Sequence, residues 1–262
     1  MFDWLFGRTR RAENGSQTSP ARTPARSAPL VRAMPQLPFP LETVHGSKVL
    51  EAYDRLRAEG RGTPVILGHD EALHHLAERL AHLSAGDTVQ SIGRIADATP
   101  FPDAWREKRR QDFATLDQYE DDVSVTGGAW PEQVSPQHFS QHLDLLTQKP
   151  LERVHIALLP TRDPSLIPAC LHFGGWNECP DAASQVAAAR YWKARYGAEI
   201  VAITDDTVQY RVQRRPATRE EAMELAQEQY DFCPDIVLQG TGTLEPLAAT
   251  LMASDWWFFW WD

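Results

Sequence analysis

AARYWKARYGAEIVAITDDTVQYRV, residues 188–212, is the stretch on which the fold reading turns. Its first part closes a helix running from about Asp181 to Tyr196, ended by Gly197 where a left-handed residue is wanted. Two apolar runs follow, Glu199–Thr204 and Thr207–Val212, joined only at Asp205 and Asp206. So short a link predicts an antiparallel hairpin. Upstream, Val154–Leu159 is almost continuously apolar and ends at Pro160, which predicts a central strand buried on both faces. Downstream, Thr218 stands three residues before Glu221, a capping-box signature that opens a helix to about Phe232. Thr243 opens a shorter helix to about Ala253, and Trp256–Trp261 supplies a last strand.

The order strand, helix, strand, strand, helix, helix, strand predicts an α+β domain, a ferredoxin-like split βαβ sandwich with an extra helix. Its last strand is aromatic on both faces, and a free edge of that kind is an aggregation hazard. The simplest cover is a strand at 63–68 added alongside it; the rival is a homodimer through the same aromatic strand. That 63–68 strand belongs to an N-terminal helix-strand-helix unit. Val49, Leu50, Tyr53 and Leu56 recur at helical spacing before it, and an amphipathic helix spans Asp70 to about Leu83 after it. Residues 84–150 carry the weakest pattern: a charged helix over Asp103–Tyr119, turns at Gly127-Gly128 and Trp130-Pro131, and another helix over Pro136–Leu146. The division is therefore a disordered Pro/Ser/Arg-rich tail at 1–42, an N-terminal α/β region at 43–150 and a C-terminal domain at 151–262.

The chain has 262 residues, 42% of them hydrophobic, enough for a packed core, and a net charge of −10. Residues 1–33 carry +4 through six arginines against Asp3 and Glu13, so the remainder carries −14. An acidic body disfavours a nucleic-acid surface, which needs clustered Lys and Arg. The longest apolar run, Trp256–Trp261, is far short of the roughly 20 residues that a membrane-spanning helix needs. Three cysteines and no signal-peptide pattern point to the cytoplasm. Phe2, Trp4, Leu5 and Phe6, followed by three arginines, read either as a segment that docks on an acidic membrane surface or a partner groove, or as a frayed apolar start leaning on the body. The histidines at 69, 74, 75 and 82 lack ligand spacing, and Glu120-Asp121-Asp122 lacks the pattern of a calcium loop. Both read as solvated, and no metal or cofactor is assigned.

GGWNECPD (174–181), AARYWKARYGAEIVAIT (188–204) and TREEAMELAQEQYDFCPDIVLQGTGTLEPLAATLMASDWWFFWWD (218–262) resemble the bacterial family called domain of unknown function 4253. The resemblance covers about residues 154–262. It implies a C-terminal domain of bacterial origin and supplies no activity. Arg215-Pro216-Ala217 departs from the paired prolines expected after the arginine, in a loop rather than the core.

Two Cys-Pro-Asp triplets, 179–181 and 233–235, are the sharpest constellation. In the expected fold they converge at one end of the sheet, which makes Trp176, Asn177, Cys179, Asp181, Asp205, Cys233, Asp235, Gly240 and Gly242 a candidate functional edge. Gly174, Gly175 and Asp206 lie nearby. The chemical readings are a thiol pair, a mixed metal site using Cys179, Cys233 and His172 or Asp181, and a carboxylate pair. Against them stands a structural reading in which the cysteines pack as small hydrophobes and Asp181 caps its helix. With no complete catalytic signature, the leading expectation is a non-enzymatic module that binds another protein. The alternatives are a metal- or thiol-dependent hydrolase and a small-ligand sensor using the Cys-Pro-Asp edge.

Overall fold

A computed structural model describes residues 34–82, 86, 88–114 and 125–261, of which residues 112–114 are described in backbone only. Strands β1 (Leu41–Val44), β2 (Thr63–Gly68), β3 (Val154–Leu159), β4 (Glu199–Ile203), β5 (Thr207–Arg211) and β6 (Trp256–Trp260) form one sheet in the order β1-β3-β2-β4-β5-β6. The helices are α1 (Val49–Glu59), α2 (Asp70–Ala81), α3 (Val89–Asp97), α4 (Asp103–Ala114), α5 (Ile167–Leu171), α6 (Ala182–Tyr196), α7 (Arg219–Phe232) and α8 (Leu244–Ala253). A π-helix over Ile236–Thr241 links α7 to α8.

The mixed α and β character holds, but the ferredoxin-like arrangement does not. In a split βαβ, β3 and β4 would run parallel around one intervening strand. Here β2 is antiparallel to β3 and parallel to β4, so β3 and β4 oppose each other. The strand at 63–68 does not cover β6; it is wedged between β3 and β4, with both of its faces buried. Its sequence, Thr-Pro-Val-Ile-Leu-Gly without polar alternation, suits that interior place. Gly68, at φ +81, permits the bulge by which β2 leaves the β3 ladder opposite His155. The expected tail boundary at residue 42 also moves, because Leu41–Val44 pairs with β3 and Leu37 and Phe39 pack on the core. Residues 1–33 lie outside the described residues, as do 115–119 of the expected charged helix.

Helices α2 and α5–α8 cover one sheet face, burying Val65, Leu67, Ala157, Val208 and Tyr210. Trp192 of α6 centres that layer: it stacks on Phe259 at 5.4 Å and meets Phe232, Trp257 and Tyr210 edge-on at 5.1, 5.7 and 5.8 Å. The aromatic terminus is thus interior, with Trp257, Phe259 and Trp261 buried. On the opposite face α1 packs Val49, Tyr53 and Leu56 against Ile66, Val154, Ile156 and Val201.

The helix expected over 136–146 is absent. Gln137 N–H donates to Ser254 Oγ, and Ser140 and Gln141 N–H donate to Gln209 Oε1, at 2.8, 2.9 and 3.3 Å. Side chains at β5 and at the approach to β6 take backbone donors that a helix would have used. Gln209 is fully buried, and its Nε2 returns a bond to His138 O at 3.2 Å. Replacing it (Gln209→Leu) is expected to lower the free energy of unfolding in urea by about 2–4 kcal/mol, because several backbone groups lose their partner. A loss under about 0.5 kcal/mol would show that the side chain does not hold this segment.

Candidate functional site

The helices around the expected edge start and stop as their sequences dictate. Asp181 Oδ1 accepts from Ser184 N–H at 2.8 Å, capping α6, while Oδ2 faces Lys108 Nζ of α4 at 3.3 Å. Burial pushes its carboxyl up, but the Ser184 bonds and Lys108 outweigh this and hold it below the ordinary range. Asp235, just before the π-helix, accepts from Gln239 Nε2 within it at 3.0 Å, and that helix ends at Gly242 with φ +78. Gly240 lies within the same element, and Asn177 adopts φ +46 on the exposed loop before Cys179.

The thiols are core atoms. Cys170, Cys179 and Cys233 are unpaired and buried. Cys179 and Cys233 belong to the same core, near enough that a charge on Cys179 would push the Cys233 thiol up further. Cys233 Sγ donates to Trp260 O at 2.9 Å, and Gln185 Nε2 donates to Cys179 Sγ at 3.6 Å. Burial pushes the Cys170 thiol up to about 11, Cys179 to about 12 and Cys233 well above its ordinary value. A thiolate nucleophile or metal ligand needs the opposite shift. Among the described residues, no three His, Cys, Asp or Glu side chains gather as a cation site.

What does gather comes partly from α2. The Arg79 guanidinium lies over the rings of Trp176 and Phe173, at 5.3 and 5.5 Å from their centroids. Its Nε is buried without a hydrogen-bond partner among the described residues, and burial lowers its affinity for the proton more than Asp205 and Cys179 raise it. Asp205, at the β4–β5 turn, pairs through Oδ2 with His75 Nδ1 at 2.8 Å, which holds the imidazole above its usual range. Asp205 Oδ1 is buried and has no hydrogen-bond partner among the described residues. Trp176, Cys179 and Asp205 are therefore assembled around Arg79. A cavity of about 10 Å³ lined by Arg79, Leu76, Leu171 and Thr204 lies beneath, room for about one water. No residue of 233–242 lines it. Arg79 does not stand out as functional in the sequence, and His75 is noticed there only within a histidine group read as solvated.

A second polar chain joins β1, β3 and α2. His155 Nδ1 meets Thr43 Oγ1 at 2.8 Å, its Nε2 meets Asp70 Oδ1 at 2.6 Å, and Arg153 Nε donates to the same oxygen at 3.1 Å. Burial lowers the His155 affinity for protons more than Asp70 raises it. The ring is therefore neutral near pH 7, with Nε2–H donated to the carboxylate. It has no exposed surface, so the chain acts as a tie between elements rather than as a base facing substrate.

Residues 155–262 match the family model DUF4253, a domain of unknown function. No curated protein and no solved structure matches the chain. The DUF4253 match begins inside β3 and takes in α5–α8 and β4–β6, so β2, His75 and Arg79 come from outside it. The DUF4253 segment also contains both Cys-Pro-Asp triplets and all three thiols.

In the folded protein a soluble disulfide reagent is expected to modify none of the three cysteines faster than the chain unfolds, and all three in denaturant. The raised thiol values also set a pH dependence. Above about pH 9 the unfolded thiols ionise while the folded ones stay protonated, so stability falls as pH rises toward 11–12. One cysteine reacting within seconds in the native protein would contradict the burial of the thiols.

Proposed function

We propose that the protein is a non-enzymatic module that binds another protein, working in the cytoplasm. The observation that carries this reading is a turn that holds two leucines out in water. Leu145 and Leu146 are 71% and 93% exposed. Their position is fixed: Asp144 Oδ1 accepts from Leu146 N–H, Thr147 N–H and Thr147 Oγ1 at 3.2, 2.7 and 2.8 Å. Gln148 N–H bonds Asp144 O at 2.8 Å, and Leu143 pairs with Pro150 at the base. Single exposed leucines are ordinary, but two adjacent ones locked in place lose little freedom on docking. Covering both would contribute about 1.5–3 kcal/mol each.

Burial of the three thiols and the one-water size of the cavity below Arg79 weigh against a thiol- or metal-dependent hydrolase at the Cys-Pro-Asp edge. A homodimer through β6 has less support, because Trp260 O already accepts the Cys233 thiol and the π-helix packs beside that strand. The reading is tested with the full chain in its own cells, carrying a photo-crosslinking residue at position 146. The expected result is a discrete adduct with another protein that is lost in Leu145→Asp and absent when the probe sits at the exposed Glu51. Equal labelling at 146 and 51, or none at either, overturns it.

A further inference from the structure

Independently of that turn, we propose that the Phe2–Phe6 segment of this chain docks in a groove between α3 and the exit of β3. The groove encloses about 620 Å³. Its apolar lining includes Val89, Pro160, Leu166 and Cys170, and its polar lining includes Arg94 and Arg190. The two arginines differ. Arg190 Nη1 is held by Asp97 Oδ1 at 2.6 Å and Gly93 O at 3.2 Å. Arg94 is exposed, its Nε reaches only Gln90 O at 3.4 Å, and it has no carboxylate partner among the described residues. The groove therefore offers apolar walls and, in Arg94, one guanidinium with no carboxylate of its own among the described residues, while Arg190 is shared by Asp97 and, at 3.9 Å, Asp163.

The course of the chain selects the occupant. Pro40 O accepts from Leu158 N–H at 3.0 Å, and β1 runs antiparallel to β3. Residues upstream of Leu41 therefore head toward the exit of β3, where Pro160 and Thr161 form one wall of the groove. Leu37 and Phe39 pack against the core that Cys170 also joins. The described chain, which begins at Met34, thus starts on the groove's side of the sheet. Among the 33 residues before Met34, Phe2-Asp3-Trp4-Leu5-Phe6 combines four large apolar side chains with one carboxylate, matching the apolar walls and Arg94. Residues 7–33 can extend to on the order of 90 Å, so the segment can return to the groove, and tethering makes docking unimolecular. Arg8, Arg10 and Arg11 then lie against a body of net charge −14.

The test places a photo-crosslinking phenylalanine analogue at Phe6 of the full chain and maps the products by peptide mass. The expected result is an adduct within one chain to peptides spanning 89–97 or 160–171. Arg94→Glu, at an exposed position, should cut its yield about threefold. Gly93→Leu should abolish it: a Cβ there sits at ordinary contact distance, 3.5 Å from Leu166 Cδ2, and the larger side chain fills the groove. Adducts scattered over the body, adducts only between chains, no adduct, or a yield unchanged in Arg94→Glu would each overturn the proposal.

Discussion

The structure depends on β2 being wedged between β3 and β4. That strand is encoded some ninety residues before β3, yet it supplies the ladder for β3 on one side and meets β4 on the other through Ile66 and Ala202. Val65 and Leu67 enter the aromatic face, while Ile66 enters the face under α1. Without β2, the β4–β5–β6 meander and the β1–β3 pair would each present unpaired backbone along a buried edge, a state that costs free energy for every group left unmet. The bulge at Gly68 and the cap of α2 at His69, whose ring accepts from Ala72 N–H, then bring His75 and Arg79 over the C-terminal half.

Local patterning made most of the elements legible. The hairpin at Asp205-Asp206, the Gly197 stop of α6, the Thr218 cap of α7 and the doubly buried β3 all rest on short-range chemistry, and they form as read. Pairing between strands far apart in sequence was not legible. Nothing in Thr63–Gly68 distinguishes an interior neighbour of β3 from a cover for β6, since both demand an apolar strand. The 136–146 stretch misled for a related reason. Its periodicity fits a helix, but its donors are claimed by Gln209 and Ser254, residues distant in sequence. The short α3 helix was missed inside weakly patterned sequence, although the side chains of Thr88 and Ser91 cap its first turn reciprocally.

The same distinction separates what the candidate edge does from what it resembles. The repeated Cys-Pro-Asp triplet looks like duplicated chemistry, but its sulfurs contribute to the core and Asp181 caps a helix. The polar centre at that rim is instead the Arg79, Asp205 and His75 group, which spans the boundary of the DUF4253 match. Arg79 lies over two rings, and its buried Nε has no acceptor among the described residues, which places a partly desolvated cation at the join between α2 and the C-terminal half.

The most direct test is to produce residues 151–262 alone and record cooperative unfolding together with the dispersion of amide resonances. Because β2 is an interior strand of this sheet, the fragment is expected to show no cooperative transition and to regain one when residues 34–150 are supplied in trans. A fragment that unfolds cooperatively on its own, with the amide dispersion of a packed sheet, would contradict it.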